Sequence, residues 1–259
     1  MTTALSVART PSALELDGVG KTYTSHDAVE VVRGIDLDVA PGELVCLIGP
    51  RACGASTLLA MIAGFENATN GRMFAGGRRV RGKGQDRALL IEDAGLLPWL
   101  DARRNVELAL RHRRLAAFER AALARRCLDL VSLHRFETTP AAELPAAHQH
   151  RVALARALAG DPSILLLDDP YRDLDPRSRA SLHAELQAVW TATRTTMLFA
   201  THEPLEAVTL ADRVIVLSPR PASILGEIAI DLPRPRRFDD RSVADRADAV
   251  VSLLRANAA

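Results

Sequence analysis

Gly49-Pro-Arg-Ala-Cys-Gly-Ala-Ser-Thr57 joins two apolar runs of different period. Before it, Leu44, Val45, Cys46, Leu47 and Ile48 are continuously apolar over the length of a strand, the pattern of a strand covered on both faces. After it, Leu58, Leu59, Met61 and Ile62 recur at helical spacing. A glycine-bearing loop between a buried strand and a helix is the setting of a phosphate-binding loop, written Gly-x-x-x-x-Gly-Lys-Ser/Thr. The glycines let backbone N–H groups wrap phosphate at the helix N-terminus, the lysine neutralises the β/γ oxygens, and the hydroxyl holds Mg²⁺. Gly49, Gly54, Ser56 and Thr57 satisfy this pattern. The lysine position is Ala55, so the loop has the geometry of the motif without its charge.

The 259 residues suit one or two domains, with enough apolar content for a substantial core. A net charge of +1 gives no long-range attraction for nucleic acid or an anionic membrane. Lys21 and Lys83 are the only lysines among many arginines; Ala55 nevertheless does not follow a lysine-to-arginine drift. Cys46, Cys53 and Cys127 have neither disulfide nor metal-site spacing, which points to a reducing compartment and a cytoplasmic protein. Residues 1–13 lack the apolar core of a signal peptide and are expected to be a flexible N-terminus. No run approaches the ~20 apolar residues of a membrane span, so a second subunit would have to supply one.

Along the chain, Leu14–Val19 reads as a first strand, with Tyr23 in a polar loop after it. Ile35, Leu37 and Val39 alternate with Asp36 and Asp38 ahead of the turn Pro41-Gly42. The helix after the phosphate loop is expected to stop at Gly64. Short strand pieces fill 71–81, and Ala88–Ile91 reads as another buried strand, followed by Glu92 and the apolar turn Gly95-Leu-Leu-Pro-Trp99. Exposing Leu96, Leu97 and Trp99 together would be unfavourable unless a partner covers them. Residues 101–135 carry helical spacing and no strand, the start of a helical subdomain placed at about 101–160. Then follow Leu144-Pro-Ala-Ala-His148, a helix at Arg151–Leu158, and Ile164–Leu167 ending in Asp168-Asp169. A helix over 177–192, Met197–Ala200 ending in Thr201-His202, and Val214–Leu217 as the last core strand complete the reading. Strands alternating with helices predict a mainly parallel α/β sheet of phosphate-loop type, with an N-terminal antiparallel β part and its ligand at the carboxyl ends of the strands. A tail is placed at 233–259.

This order of motifs, over about residues 14–232, resembles the ATP-binding subunit of ABC transporters. Gly95-Leu-Leu-Pro-Trp99, Ile62-Ala-Gly-Phe65, Arg151-Val-Ala-Leu-Ala-Arg-Ala-Leu158 and Val216-Leu-Ser-Pro219 are similar to the nitrate/sulfonate/taurine importer branch. The resemblance implies ATP and Mg²⁺ as cofactors. It implies that Tyr23 stacks on adenine, that residues 49–57 hold the phosphates, and that Ser56 and Asp168 serve Mg²⁺. It further implies that Asp169 addresses the attacking water, that Glu92 stands at the Mg²⁺-sensing position, and that His202 contacts the γ-phosphate. Leu144, Pro145, Ala146, Ala147 and His148 occupy the signature that closes on the ATP of the opposite subunit.

Several positions depart from the family's pattern. Ala55 removes a cation; opposite charges ~4 Å apart are worth about 4 kcal/mol at an effective dielectric of 20. Ala52 replaces a frequent glycine and adds strain if its φ is positive. Glu92 replaces glutamine and puts negative charge beside phosphate. Asp169 is one methylene shorter than the usual glutamate, which displaces any water it holds. The signature Leu-Ser-Gly-Gly-Gln has become Leu144-Pro-Ala-Ala-His148: a hydroxyl is lost and two close-approach glycines carry methyls, while Pro145 still suits a helix start. The strands between these positions are intact, which fits either relaxed selection on hydrolysis alone or deliberate substitution.

The resemblance therefore implies a peripheral subunit on the inner face of the cell membrane. It would dock on a permease through the 95–99 turn and the helical insert, pair head to tail with a second cassette as homo- or heterodimer, and serve a substrate-binding protein indirectly. Three readings remain open at this level: a cassette with strongly impaired hydrolysis, a pseudo-ATPase scaffold that binds little nucleotide, and an active import ATPase with a variant site. Nitrate, sulfonate, taurine and a thiamine precursor are equally compatible as cargo.

Overall fold

Two β-sheets and the helices around them are organised by the apolar run before the phosphate loop. The computed structural model describes residues 12–24 and 27–256; the expectation for residues 1–13 falls almost wholly outside the described residues. Strand β3 (Leu44–Ile48) is buried along its whole length. Its period of two sends Leu44, Cys46 and Ile48 into one core and Val45 and Leu47 into the other. β3 lies in a six-stranded sheet with β6 (Arg87–Ile91), β7 (Ile164–Asp168), β8 (Thr196–Thr201), β9 (Arg213–Leu217) and β10 (Ile224–Ala229), in the order β10-β9-β3-β8-β7-β6. Five of these strands are parallel, and β10 pairs antiparallel to β9. The sequence reading ended the sheet at Val214–Leu217. It missed β10, whose residues are half-exposed at an edge and carry no continuous apolar run.

A second sheet, all antiparallel, has the order β2-β1-β4-β5, from β1 (Leu14–Tyr23), β2 (Val29–Val39), β4 (Asn70–Ala75) and β5 (Arg78–Arg79). The first strand runs past its expected end at Val19 to Tyr23, through register shifts on either side of Val19 that keep the ladder paired. Helix α1 (Ala55–Ala63) packs among the residues that fill the space between the two sheets. It ends at Gly64 in the left-handed conformation, where a Cβ would lie 2.0 Å from the Gly82 carbonyl oxygen.

The other face of the large sheet carries the helices α2 (Ala102–Glu107), α3 (Ala117–Leu130), α4 (Ala146–Ala159), α5 (Pro176–Thr193), α6 (Pro204–Leu210) and α7 (Arg241–Ala256). Asp175 caps α5 by accepting from the Arg177 and Ser178 N–H groups, with Pro176 in the first turn. β6 was expected to be buried; it is the sheet's edge strand, and Ile91 is exposed. Beyond β10 the chain stays attached. Arg236 is buried and donates to the carbonyls of Val208, Ala211, Ile230 and Leu232, while its own backbone exchanges hydrogen bonds with the Gln187 side chain. Among the described residues no helix is long and apolar enough to cross a membrane.

Candidate functional site

The parallel strands deliver chemistry-bearing residues to one edge of the large sheet: the loop after β3, Glu92 after β6, Asp168 and Asp169 at β7, and Thr201-His202 at β8. In a parallel sheet the carboxyl ends of the strands share one side, and this is where ligands bind.

The loop has a shape that its sequence enforces. Gly54 adopts φ +122°, and a Cβ there would come within 2.6 Å of the Val31 carbonyl oxygen; at Gly49 a Cβ would meet the Cys53 sulfur at 2.9 Å. Cys53 is thus the packing residue inside the loop, its thiol pushed up by burial against the opposing effect of backbone N–H groups from Ala55 and Gly54. Ala52 sits at φ 60°, the left-handed conformation in which a methyl is unfavourable. Helix α1 starts at Ala55 with no side-chain cap, so its first-turn N–H groups are available to a ligand. Ala55 is 8% exposed, a methyl group where the motif calls for an ammonium.

One residue on, the Ser56 hydroxyl donates to Asp168 Oδ1 at 2.9 Å. Burial raises the Asp168 carboxyl above its ordinary value, against the stabilising Ser56 hydrogen bond. A hydroxyl and a carboxylate in contact at the head of a phosphate loop are the hard oxygen donors that Mg²⁺ takes. No set of three or more His, Cys, Asp or Glu among the described residues forms a metal cage. The donors fit a metal that completes its shell with phosphate and water. The loop fits phosphate through its backbone but not through its side-chain charge.

His202 Nδ1 lies 2.8 Å from the Gly49 carbonyl oxygen. A carbonyl only accepts, so Nδ1 carries a proton and Nε2 is left to face the site. There it approaches Asp169 Oδ2 at 3.9 Å. Asp169 has φ 43°, and its N–H donates to the Ala200 carbonyl of β8, which fixes the turn after β7.

The same Asp169 oxygen accepts from Arg172 Nε at 2.8 Å, and Arg172 Nη1 donates to Glu92 Oε2 at 3.1 Å. One guanidinium therefore bridges two of the carboxylates. Burial raises the Glu92 carboxyl; Arg172 opposes the shift while Asp173 and Asp169 add to it. The sequence reading did not single out Arg172. The signal was an arginine three residues beyond an Asp in the turn after a buried strand.

Tyr23 ends β1 with Lys21 Nζ 4.7 Å from its ring centre. The segment Leu144–His148 is not brought to the loop by its own chain; no hydrogen bond, ion pair or ring contact links them among the described residues. Pro145 stands at the cap position and α4 begins at Ala146, one residue later than a proline in the first turn would give, and earlier than the expected Arg151. The His148 and Gln149 N–H groups bond to the Pro145 carbonyl. His148 packs on Phe136 with ring centres 4.7 Å apart, and burial lowers its imidazole below the ordinary value.

A parallel sheet, a glycine loop opening an uncapped helix and a carboxylate edge define a nucleotide-binding cassette. The chain belongs to the ABC transporter family, whose model matches residues 32–172. It is 36% identical to the nitrate import ATP-binding protein NrtD of Synechococcus elongatus, over 93% of this chain and 92% of that one. It is 40% identical to the taurine import ATP-binding protein TauB of Burkholderia pseudomallei, over 83% and 84%. Among solved structures it is similar to a dimeric ATP-binding cassette in a post-hydrolysis state bound to ADP and Pi, with a TM-score of 0.74 and 26% identity over 85% of this chain and 100% of that one. These relatives place the chain in the nitrate/sulfonate/taurine branch.

Proposed function

We propose that this chain is the ATP-binding subunit of an importer of the nitrate/sulfonate/taurine type, docked on a membrane permease, with strongly impaired ATP hydrolysis. Kinship with nitrate and taurine import proteins supports the importer reading. The observation that carries the impairment is Ala55: the residue heading α1 has no charge to offer the phosphates, and the guanidinium nearest the carboxylates stands outside the loop, shared with Asp169 and Glu92.

In this reading Gly49, Gly54, Ser56 and Thr57 cradle the phosphates, Ser56 and Asp168 hold Mg²⁺, and Asp169 and His202 face the terminal phosphate with reduced effect. ATP and Mg²⁺ bind weakly. Tyr23 faces the base. Leu144, Pro145, Ala146, Ala147 and His148 form the surface offered to a second cassette. Because the loop and the signature are both altered in one chain, neither a second copy nor an intact partner completes a site. The cassette works at the inner face of the membrane and meets a substrate-binding protein only through the permease.

Losing roughly 3 kcal/mol of transition-state stabilisation slows a reaction about a hundredfold. Phosphate release by the purified chain should accordingly lie about two orders of magnitude below an intact transporter cassette assayed alongside. Turnover equal to that cassette would overturn the proposal.

A further inference from the structure

Beyond impaired hydrolysis, the site shows where its remaining positive charge has gone. Glu92, Asp168, Asp169 and Asp173 lie together at the sheet edge, and with Ala55 in the loop they would confront an anionic ligand unopposed. Arg172 lies among them. It binds Asp169 through Nε and Glu92 through Nη1, and its charge is felt at Asp168, which in turn contacts Ser56 of the loop. The backbone carrying it is held in place, with Arg179 Nη2 donating to the Arg172 carbonyl at 2.9 Å.

Of the five N–H donors of a guanidinium, two are engaged by these carboxylates and three are not. The side chain is 36% exposed, so the uncommitted donors are open to a ligand. Two other arginines of the described residues, Arg220 and Arg51, differ in placement. Arg220 reaches the Ala52 carbonyl from the side of the β9–β10 turn, and Arg51 projects outward as an exposed residue. Neither meets the carboxylate edge.

We propose that Arg172 is the anion-binding cation of this site: it takes over, from the turn after β7, the charge that the phosphate loop lacks at Ala55, pairing Glu92 and Asp169 and donating to the terminal phosphate of a nucleoside triphosphate. The inference rests on the nucleotide site assigned above. A cation shared with two carboxylates binds phosphate less tightly than an unshared loop ammonium, but it prevents the acidic edge from repelling the ligand outright. It also makes Glu92 tolerable beside phosphate.

The test is a double-mutant cycle on Mg-ATP affinity, measured by titration calorimetry on the full chain at low and high salt. Arg172→Gln should weaken binding at least about tenfold at low salt, and Ala55→Lys should strengthen it. In the Ala55→Lys background, Arg172→Gln should cost less than about threefold, since one role is then filled twice. The effect of Arg172→Gln should shrink at high salt, which a merely structural role would not produce. An equal effect in both backgrounds, or none in either, would overturn the proposal. So would an unsubstituted chain without measurable affinity, although that result leaves impaired hydrolysis standing; full turnover by the unsubstituted chain has the opposite consequence. Should Arg172→Gln fail to fold, as read from its thermal midpoint, Arg172→Lys decides: it keeps the charge and should stay within about threefold of the unsubstituted affinity, and a larger loss would refute the assignment.

Discussion

Ala52 shows at the scale of one residue how the loop tolerates its departures. At φ 60° its methyl is held in a conformation that costs an L-residue roughly 1–2 kcal/mol. Ala52→Gly relieves that strain but restores freedom to the unfolded chain, which opposes the gain by about 0.5–1 kcal/mol. The variant should melt about 2 °C higher by calorimetry; a lower midpoint would mean that the methyl makes a compensating contact. Position and residue type were both legible in the sequence here, because a frequent glycine had become alanine, but the sign of φ was not. Arg172 was less legible. Its role arises only when the sheet brings Glu92, 80 positions earlier in the chain, to the same guanidinium as Asp169. No local pattern encodes such a meeting.

Among the elements, the turn after β6 is the clearest case of a sequence expectation refined by structure. Of Leu96, Leu97 and Trp99, only Trp99 is exposed, at 73%; Leu96 packs against the core. The turn is held from below. The Asn105 side chain accepts from the Leu97 N–H and donates to the carbonyls of Leu97, Leu100 and Asp101, while Arg156 donates to those of Ala94 and Gly95. A large indole on a rigid turn is pre-organised for a partner, because little side-chain freedom remains to be lost on docking. Trp99→Asp should leave the thermal midpoint of the isolated subunit within about 1–2 °C, as surface substitutions do, and should abolish co-purification with a cognate permease. Unfolding of the free subunit by this change would make the turn structural and remove the docking assignment. Strands β3, β7 and β8 were readable because burial on both faces demands unbroken apolar runs. β10 was not, since an edge strand half open to solvent imposes no such demand.

At the scale of the whole molecule, α4 and α5 are joined by Arg151 and Glu185, Nε to Oε2 at 2.9 Å. Ion pairing alone would lower the Glu185 carboxyl, yet burial dominates and pushes it up to about 7, and its Oε1 is buried with no hydrogen-bond partner. The folded value thus exceeds the ordinary 4.5. The corresponding stability is fully present below about 4.5 and is lost as pH rises through about 7. Denaturant titrations from pH 5 to 8 should show the unsubstituted chain losing stability relative to Glu185→Gln. The slope should stay below about 1.4 kcal/mol per pH unit, the limit for a single proton. A difference independent of pH would place the titration elsewhere. The segment beyond β10 has a consequence of another kind. Pro233-Arg-Pro-Arg-Arg237 reads as a cleavable linker, yet trypsin must draw several residues around an arginine into extended form. Pro235 follows Arg234, and Arg236 is pinned to four carbonyls inside the fold. To such an enzyme the most basic stretch of this tail is closed at Arg234 and Arg236 while the cassette stays folded, and Arg237, whose side chain is exposed, is the one position in it where a cut would part α7 from the cassette.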